Sequence, residues 1–272
     1  MGLVNLNKAA ISAIMTGNIG TWDQVDSSQT GDILVCRQTP GSGTQAVSNM
    51  YFGNYPCDTS GSAINVPADR FASAAWNDST NTYTVTPNTG GLVVIENASS
   101  GDVRTCLDKA VNGGGYGTSD RNGAFVFVNM GAGGHKAIGV LSMDNLRSSR
   151  SNGNWQFRSL DGAGTYTWDI PAAAPVASGT GKFPTKASYV DGTWDAQGWI
   201  SFNVPSRTVG NKKALLDDFL VKAQYPSILA SIFDLKNVAA SLPGTPDQTL
   251  TGLVLRAGYP YNNQCAPYNR NF

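Results

Sequence analysis

Residues 33–52 read ILVCRQTPGSGTQAVSNMYF. The apolar run Ile33-Leu34-Val35-Cys36 predicts a buried strand. Arg37-Gln38-Thr39 leads from it into Pro40-Gly41-Ser42-Gly43-Thr44, a loop of small residues. Beyond the loop, Ala46, Val47, Met50 and Tyr51 fall at helical spacing, and the helix should stop near Gly53-Asn54-Tyr55-Pro56. Strand, small-residue loop, helix is the repeating unit of α/β folds. The same turn can cradle an anion, hold a nucleotide or raise a nucleophile.

A second such unit follows. Leu92-Val93-Val94-Ile95 reads as a buried strand, Glu96 to Gly101 as a polar loop, and DVRTCLDKAV (102–111) as a helix. Val103, Cys106, Leu107 and Ala110 form that helix's apolar face, and Gly113-Gly114-Gly115 closes it. Residues 5–16 carry another helix, with Asn5 or Asn7 as N-cap and Gly17 as left-handed stop. Short strands are expected at Thr82–Val85, 125–128, 137–142, near 155–160 and 165–170, and at Trp199–Val204. The stretch 172–184 reads as a loop. From Asn211 a helix runs to a kink near Pro226. Strands alternating with helices imply an α/β protein.

Composition narrows the function. The 272 residues carry 19 basic and 19 acidic side chains, for zero net charge. That balance argues against nucleic acid as a partner. Only 14% of residues are charged, against about 25% in an average domain. Small polar residues take their place, which suits a secreted or periplasmic protein. No run of 18 apolar residues is present, and Met1-Gly2-Leu3 opens neither a charged nor an apolar leader region. The four cysteines, Cys36, Cys57, Cys106 and Cys265, form no Cys-x-x-Cys, and His135 is the single histidine. A metal site is therefore not expected. The even count allows two disulfides, with three connectivities open.

The site readings separate on context. Gly41-Ser42-Gly43-Thr44-Gln45-Ala46 fits G-x-G-x-x-[GA], but four residues intervene between strand and glycine. Asp58 does not end a second strand, so the dinucleotide fingerprint fails. A nucleophile elbow at Ser42 would need glycine at 40 and 44, where Pro40 and Thr44 stand. Gly181-Lys182 is followed by Phe183, so no P-loop forms there. Anion capture remains. Unpaired N–H groups and the positive dipole end of a helix attract an oxyanion, and small residues let it approach. Ser42, Thr44, Ser99 and Ser100 add hydroxyls, and Arg37 could add a charged fork. Capping alone would also explain these serines. The tryptophans at 22, 155, 168, 194 and 199 suit core packing better than a cleft. The sequons at Asn77 and Asn97 match by chance often enough to carry little.

The runs AISAIMTGNIGTWDQV, ILVCRQTPGSGTQAVSNMYF, SSGDVRTCLDKAV and AIGVLSMDN, in that order, resemble the phosphate-binding proteins of bacterial importers. The resemblance is nearer to a proteobacterial secreted branch with a Cys-Arg strand and a Tyr-Pro-Cys after the first helix. It covers roughly residues 7–57 and 92–145, with a weaker likeness from Trp199 to Phe233. It implies a class II periplasmic-binding-protein-like fold of two α/β lobes closing on an oxyanion, with no cofactor and no catalysis. Residues 1–197 would be mainly lobe 2, and 198–272 the hinge return and the rest of an incomplete lobe 1. The implied ligand set is Arg37, Gly41, Ser42, Gly43, Thr44, Ser99 and Ser100. The implied partners are phosphate or a similar anion, a membrane permease or other copies of the chain.

Two departures from the family pattern bear on this. Gln38 stands where the family's arginine is expected, Arg37 lies one place earlier, and Pro40 replaces an aspartate. A one-residue shift in a strand reverses the side chain's face, which would turn Arg37 away from the cleft. The chain also starts almost at the family's second segment, so lobe 1 would be completed by a missing N-terminal segment or another chain. The alternative function is an assembly protein that keeps the scaffold, loses the ligand and pairs with other chains.

Overall fold

The computed structural model describes residues 5–58, 76–85, 91–150, 154–185, 188, 193–196, 204–222, 256–258, 265 and 269–271. The chain divides into two compact units, 1–183 and 184–272.

The first unit is mixed α/β and is built around a parallel sheet in the order β4-β1-β7. β1 is Ile33–Gln38, β4 is Val93–Asn97 and β7 is Lys136–Gly139. Alternation along β1 sends Leu34 and Cys36 to one face and Ile33 and Val35 to the other. All six residues of β1 are buried, as expected of a strand covered on both faces. On the Leu34 face lies helix α3 (Ser100–Asn112), which contributes Val103, Cys106, Leu107 and Ala110. On the other face lie α1 (Lys8–Met15), with Ile11, Ile14 and Met15, and Trp22 from the short 3-10 turn Trp22–Gln24. Phe52 of α2 (Gly43–Gly53) packs on that same cluster. Each large apolar side chain fully buried this way contributes about 1.5–3 kcal/mol.

The helix ends follow the sequence signals. Asn7 caps α1 by accepting the Ala10 N–H at 2.8 Å. Gly17 leaves α1 at φ +78°, and Asn54 ends α2 at φ +52°. The buried residues of α2 are Gln45, Ser48 and Gly53, while Ala46 is exposed. The apolar spacing that predicted the helix is therefore not the face it buries. Gln45 tolerates burial because its amide donates to Asn49 Oδ1 at 2.8 Å.

A four-stranded mixed sheet, β2-β3-β6-β5, backs the Leu34 face. Its strands are Trp76–Asn77, Thr82–Thr84, Phe125–Asn129 and Gly115–Ser119, from β2 through β3 and β6 to β5. Val126 and Val128 point into the core, and Phe125 and Phe127 point outward. The outward rings lie over Gly117 and Gly115 of β5, where an added Cβ would collide with them. β5 thus starts inside the Gly113-Gly114-Gly115 run that closes α3.

The third sheet is antiparallel, β10-β9-β8. Its strands are β8 (Phe157–Arg158), β9 (Gly164–Asp169) and β10 (Ala174–Gly179). β10 corrects the reading of 172–184 as a loop. Its proline, glycine and small residues carry no alternation, and main-chain pairing with β9 makes the strand. Residues Met143–Arg150 form 3-10 turns.

In the second unit, α4 (Gly210–Lys222) forms as expected and has no buried residue. β11 (Arg256–Gly258) pairs antiparallel with β12 (Asn269–Asn271). The strand expected at Trp199–Val204 falls outside the described residues but for Val204, as does the chain around Pro226. All four cysteines are in disulfides. One is Cys36–Cys106, which ties β1 to α3 across the core with a Cα–Cα distance of 6.0 Å. Among the described residues no helix is long and apolar enough to cross a membrane.

Candidate functional site

β1 and β4 run parallel, with Gln38 opposite Asn97 at their carboxyl ends. The two strands send their following helices to opposite faces, α2 beside α1 and α3 across the sheet. Neighbouring parallel strands whose helices diverge this way open a crevice at their carboxyl ends. Small-residue turns occupy it: Thr39–Ser42 before α2, and Ala98–Ser99 before α3.

Gln38 spans the two turns. Its Nε2 donates to Ser100 Oγ at 2.7 Å, and its Oε1 accepts from Ser42 Oγ. Ser42 is the N-cap of α2 and accepts the Gln45 N–H at 3.4 Å. Ser99 is the N-cap of α3 and accepts the Asp102 N–H at 3.1 Å. These caps take one donor of each helix. The N–H groups of Gly43, Thr44, Ser100 and Gly101 have no hydrogen-bond partner among the described residues. Apart from the adjoining residues and the helix's own backbone, no atom lies within 4 Å of where a Cβ would stand on Gly41 or Gly43, so that turn is open to an approaching group. Gly41 has φ +96°, a conformation that glycine adopts at little cost.

The two helix starts differ in charge. The first turn of α2 has no acidic residue. That of α3 carries Asp102, whose Oδ2 accepts from Thr118 Oγ1 at 3.0 Å. The positive end of α3 therefore already faces a carboxylate, and that of α2 does not. Asn97 closes the floor. It is fully buried, donates to the Arg37 carbonyl at 3.2 Å and accepts from Tyr116 Oη at 2.7 Å. Burial pushes the Tyr116 phenol far above its ordinary 10.0, and the Asp102 charge adds to this. Asn97 is therefore not a surface sequon.

Arg37 does not enter the crevice. It lies one residue before Gln38, on the face shared with Ile33 and Val35, and its Nη2 meets Glu96 Oε1 at 2.9 Å. Glu96 also binds Arg121, from the β5–β6 turn, through Nε at 3.2 Å and Nη2 at 2.5 Å. Desolvation pulls the Arg37 guanidinium below its ordinary value, and Glu96 opposes that shift. The hydrogen bond to Glu96 raises that of Arg121. Of the residues expected at the site, Ser42 and Ser100 are joined through Gln38. Gly41, Gly43 and Thr44 line the α2 start and Ser99 caps α3, while Arg37 is committed to Glu96.

The Gln38 bridge and the Glu96 and Asn97 contacts leave no local signal in the sequence. The strand period places Gln38 and Arg37 on opposite faces. Nothing local in the sequence links Arg37 to Glu96, 59 residues away. Among the described residues no cluster of His, Cys, Asp or Glu could hold a metal ion. No family model, no curated protein and no solved structure matches the chain.

Proposed function

We propose that the chain is an extracytoplasmic solute-binding protein of the two-lobed class II type, and that it binds phosphate or a related small oxyanion for uptake. The observation that carries this reading is the Gln38 bridge between Ser42 and Ser100 at the mouths of α2 and α3. An oxyanion placed there meets two hydroxyls, the Gln38 amide and the open N–H groups of Gly43, Thr44, Ser100 and Gly101. The missing acid at the start of α2 favours it further. The groups that would meet the anion carry no positive side chain, and Asp102 stands at the start of α3, so affinity rests on hydrogen bonds and the α2 end. Closure of a second lobe over the ligand would complete the cage, and the closed form would dock to a membrane permease. The two disulfides suit an oxidising compartment.

The reading is of a binding protein and not an enzyme. His135 donates its backbone N–H to the Ala110 carbonyl, at the far end of α3 from Ser100. Ten residues of helical rise put them about 15 Å apart, too far for the imidazole to activate a crevice serine.

Titration calorimetry with phosphate and with sulfate tests the proposal. Saturable binding to the full chain is expected, weakened about 10- to 100-fold by Ser42→Ala, the range for losing one hydrogen bond to a charged group. No heat at millimolar anion contradicts it. A second reading, an assembly protein on the same scaffold, is favoured by one observation: the Arg37 charge is spent on Glu96 and not on a ligand.

A further inference from the structure

The hairpin of β9 and β10 leaves an unusual edge. From Ile170 to Gly181 the sequence IPAAAPVASGTG has no charged residue. Every residue from Ile170 to Thr180 is exposed except the half-buried Ala174. β10 pairs with β9 on one side only, and among the described residues nothing pairs on its other side. Edge strands are normally blunted by charge, bulges or cover, and β10 has none of these. Its one protective residue is Pro175.

The direction of each backbone group follows from the register. Gly179 stands opposite Gly164, and the Thr180 N–H donates to the Ala163 carbonyl at 2.8 Å. That bond marks Gly179–Gly164 as a wide pair, so pairs alternate from there. Ala174, Val176 and Ser178 turn their main-chain groups to β9. Pro175, Ala177 and Gly179 turn theirs outward. Proline therefore sits where no N–H is needed by β9, which explains why a strand forms through it.

We infer that β10 is a self-pairing edge, and that two copies of this chain join through it as antiparallel strands about a two-fold axis at Ala177. The outward pattern is self-complementary. Ala177 faces Ala177 of the second copy and each donates to the other. Each Gly179 N–H faces a Pro175 carbonyl, so the residue without a donor is matched where only an acceptor is required. About four main-chain hydrogen bonds form, and two three-stranded sheets become one of six strands. Lys182 falls opposite Ala172, so no like charges meet, and the chain's zero net charge adds no repulsion. A six-residue strand buries less than the ~1,200 Å² of a stable complex, so the dimer is weak and reversible. The inference does not rest on the oxyanion reading.

The pairing sets Val176 directly opposite Ser178 of the second copy, and that gives the test. Sedimentation velocity of the full chain from about 0.01 to 1 mM should show a concentration-dependent dimer. Val176→Glu with Ser178→Glu places like charges opposite each other and should weaken the dimer at least about tenfold. Val176→Lys with Ser178→Glu places opposite charges there and should dimerise at least as well as the unaltered chain. Hydrogen exchange should show Ala177 and Gly179 amides gaining protection with concentration, while Val176 and Ser178 are protected throughout. A monomer at all concentrations overturns the inference. So does a dimer indifferent to the Glu/Glu change, or one lost in the Lys/Glu variant.

Discussion

Replacing Glu96 by leucine should be among the most damaging single changes in the first unit, and the reason lies in what it leaves behind. Arg37 and Glu96 have side chains only 6% and 4% exposed and meet at 2.9 Å. At that distance, with an effective dielectric of about 20, their attraction is roughly 6 kcal/mol, which offsets the cost of burying both charges. Remove the carboxylate and the guanidinium stays charged and buried without the acid it meets at 2.9 Å, because arginine does not deprotonate at working pH. The expected loss is about 3–5 kcal/mol. Arg37→Met is not equivalent. Glu96 then keeps Arg121, whose side chain is 46% exposed, so the cost should be about 1–2 kcal/mol. Arg37→Met combined with Glu96→Leu removes both buried charges and should return to within about 1 kcal/mol of the unaltered protein. Urea unfolding followed by circular dichroism measures all three. With a slope of about 2 kcal/mol per molar, Glu96→Leu should lower the midpoint by about 1.5–2.5 M. A loss below about 1 kcal/mol, or Arg37→Met as costly as Glu96→Leu, would refute the reasoning.

Two further outcomes follow from the same core. Cys36→Ala with Cys106→Ala removes a crosslink spanning 70 residues, worth about 4 kcal/mol in chain entropy, and should lower stability by about 2–4 kcal/mol in thermal or urea melts; a loss below about 1 kcal/mol contradicts this. Tyr116→Phe leaves Asn97 Oδ1 without its buried donor and should cost about 1–3 kcal/mol at neutral pH. The folded phenol is held protonated above its ordinary 10.0, so its contribution is complete below that pH. Above it the unfolded chain ionises, the contribution fades, and the gap between Tyr116→Phe and the unaltered protein should narrow. A gap that widens from pH 9 to 11 contradicts the assignment.

The elements that were legible in the sequence are those whose pattern is local. Ile33–Cys36 and Val93–Ile95 are short continuous apolar runs, and burial on both faces of a parallel sheet produces that pattern. Asn7 and Asn54 mark helix ends through their own side chains or backbone. The illegible parts depend on a partner distant in sequence. β10 is held by β9 and shows no alternation of its own, and β5 exists because its glycines accommodate the rings of Phe125 and Phe127. In the candidate site, the small-residue turns and both capping serines were readable. Strand period also settled that Arg37 and Gln38 face opposite ways. It did not reveal that Glu96 would take Arg37, or that Gln38 would reach both helix starts.

The central claim is that the start of α2, joined to α3 through Gln38, receives an oxyanion. Amide chemical shifts recorded during a phosphate titration of the full chain test it most directly. The account predicts saturable shifts at Gly43, Thr44, Ser100 and Gly101 and at the Gln38 side-chain amide, with Arg37 and Glu96 unmoved. Absence of saturable change at those amides up to about 10 mM phosphate, a range in which even a weak site fills, would contradict it, as would shifts confined to the surface around Arg121.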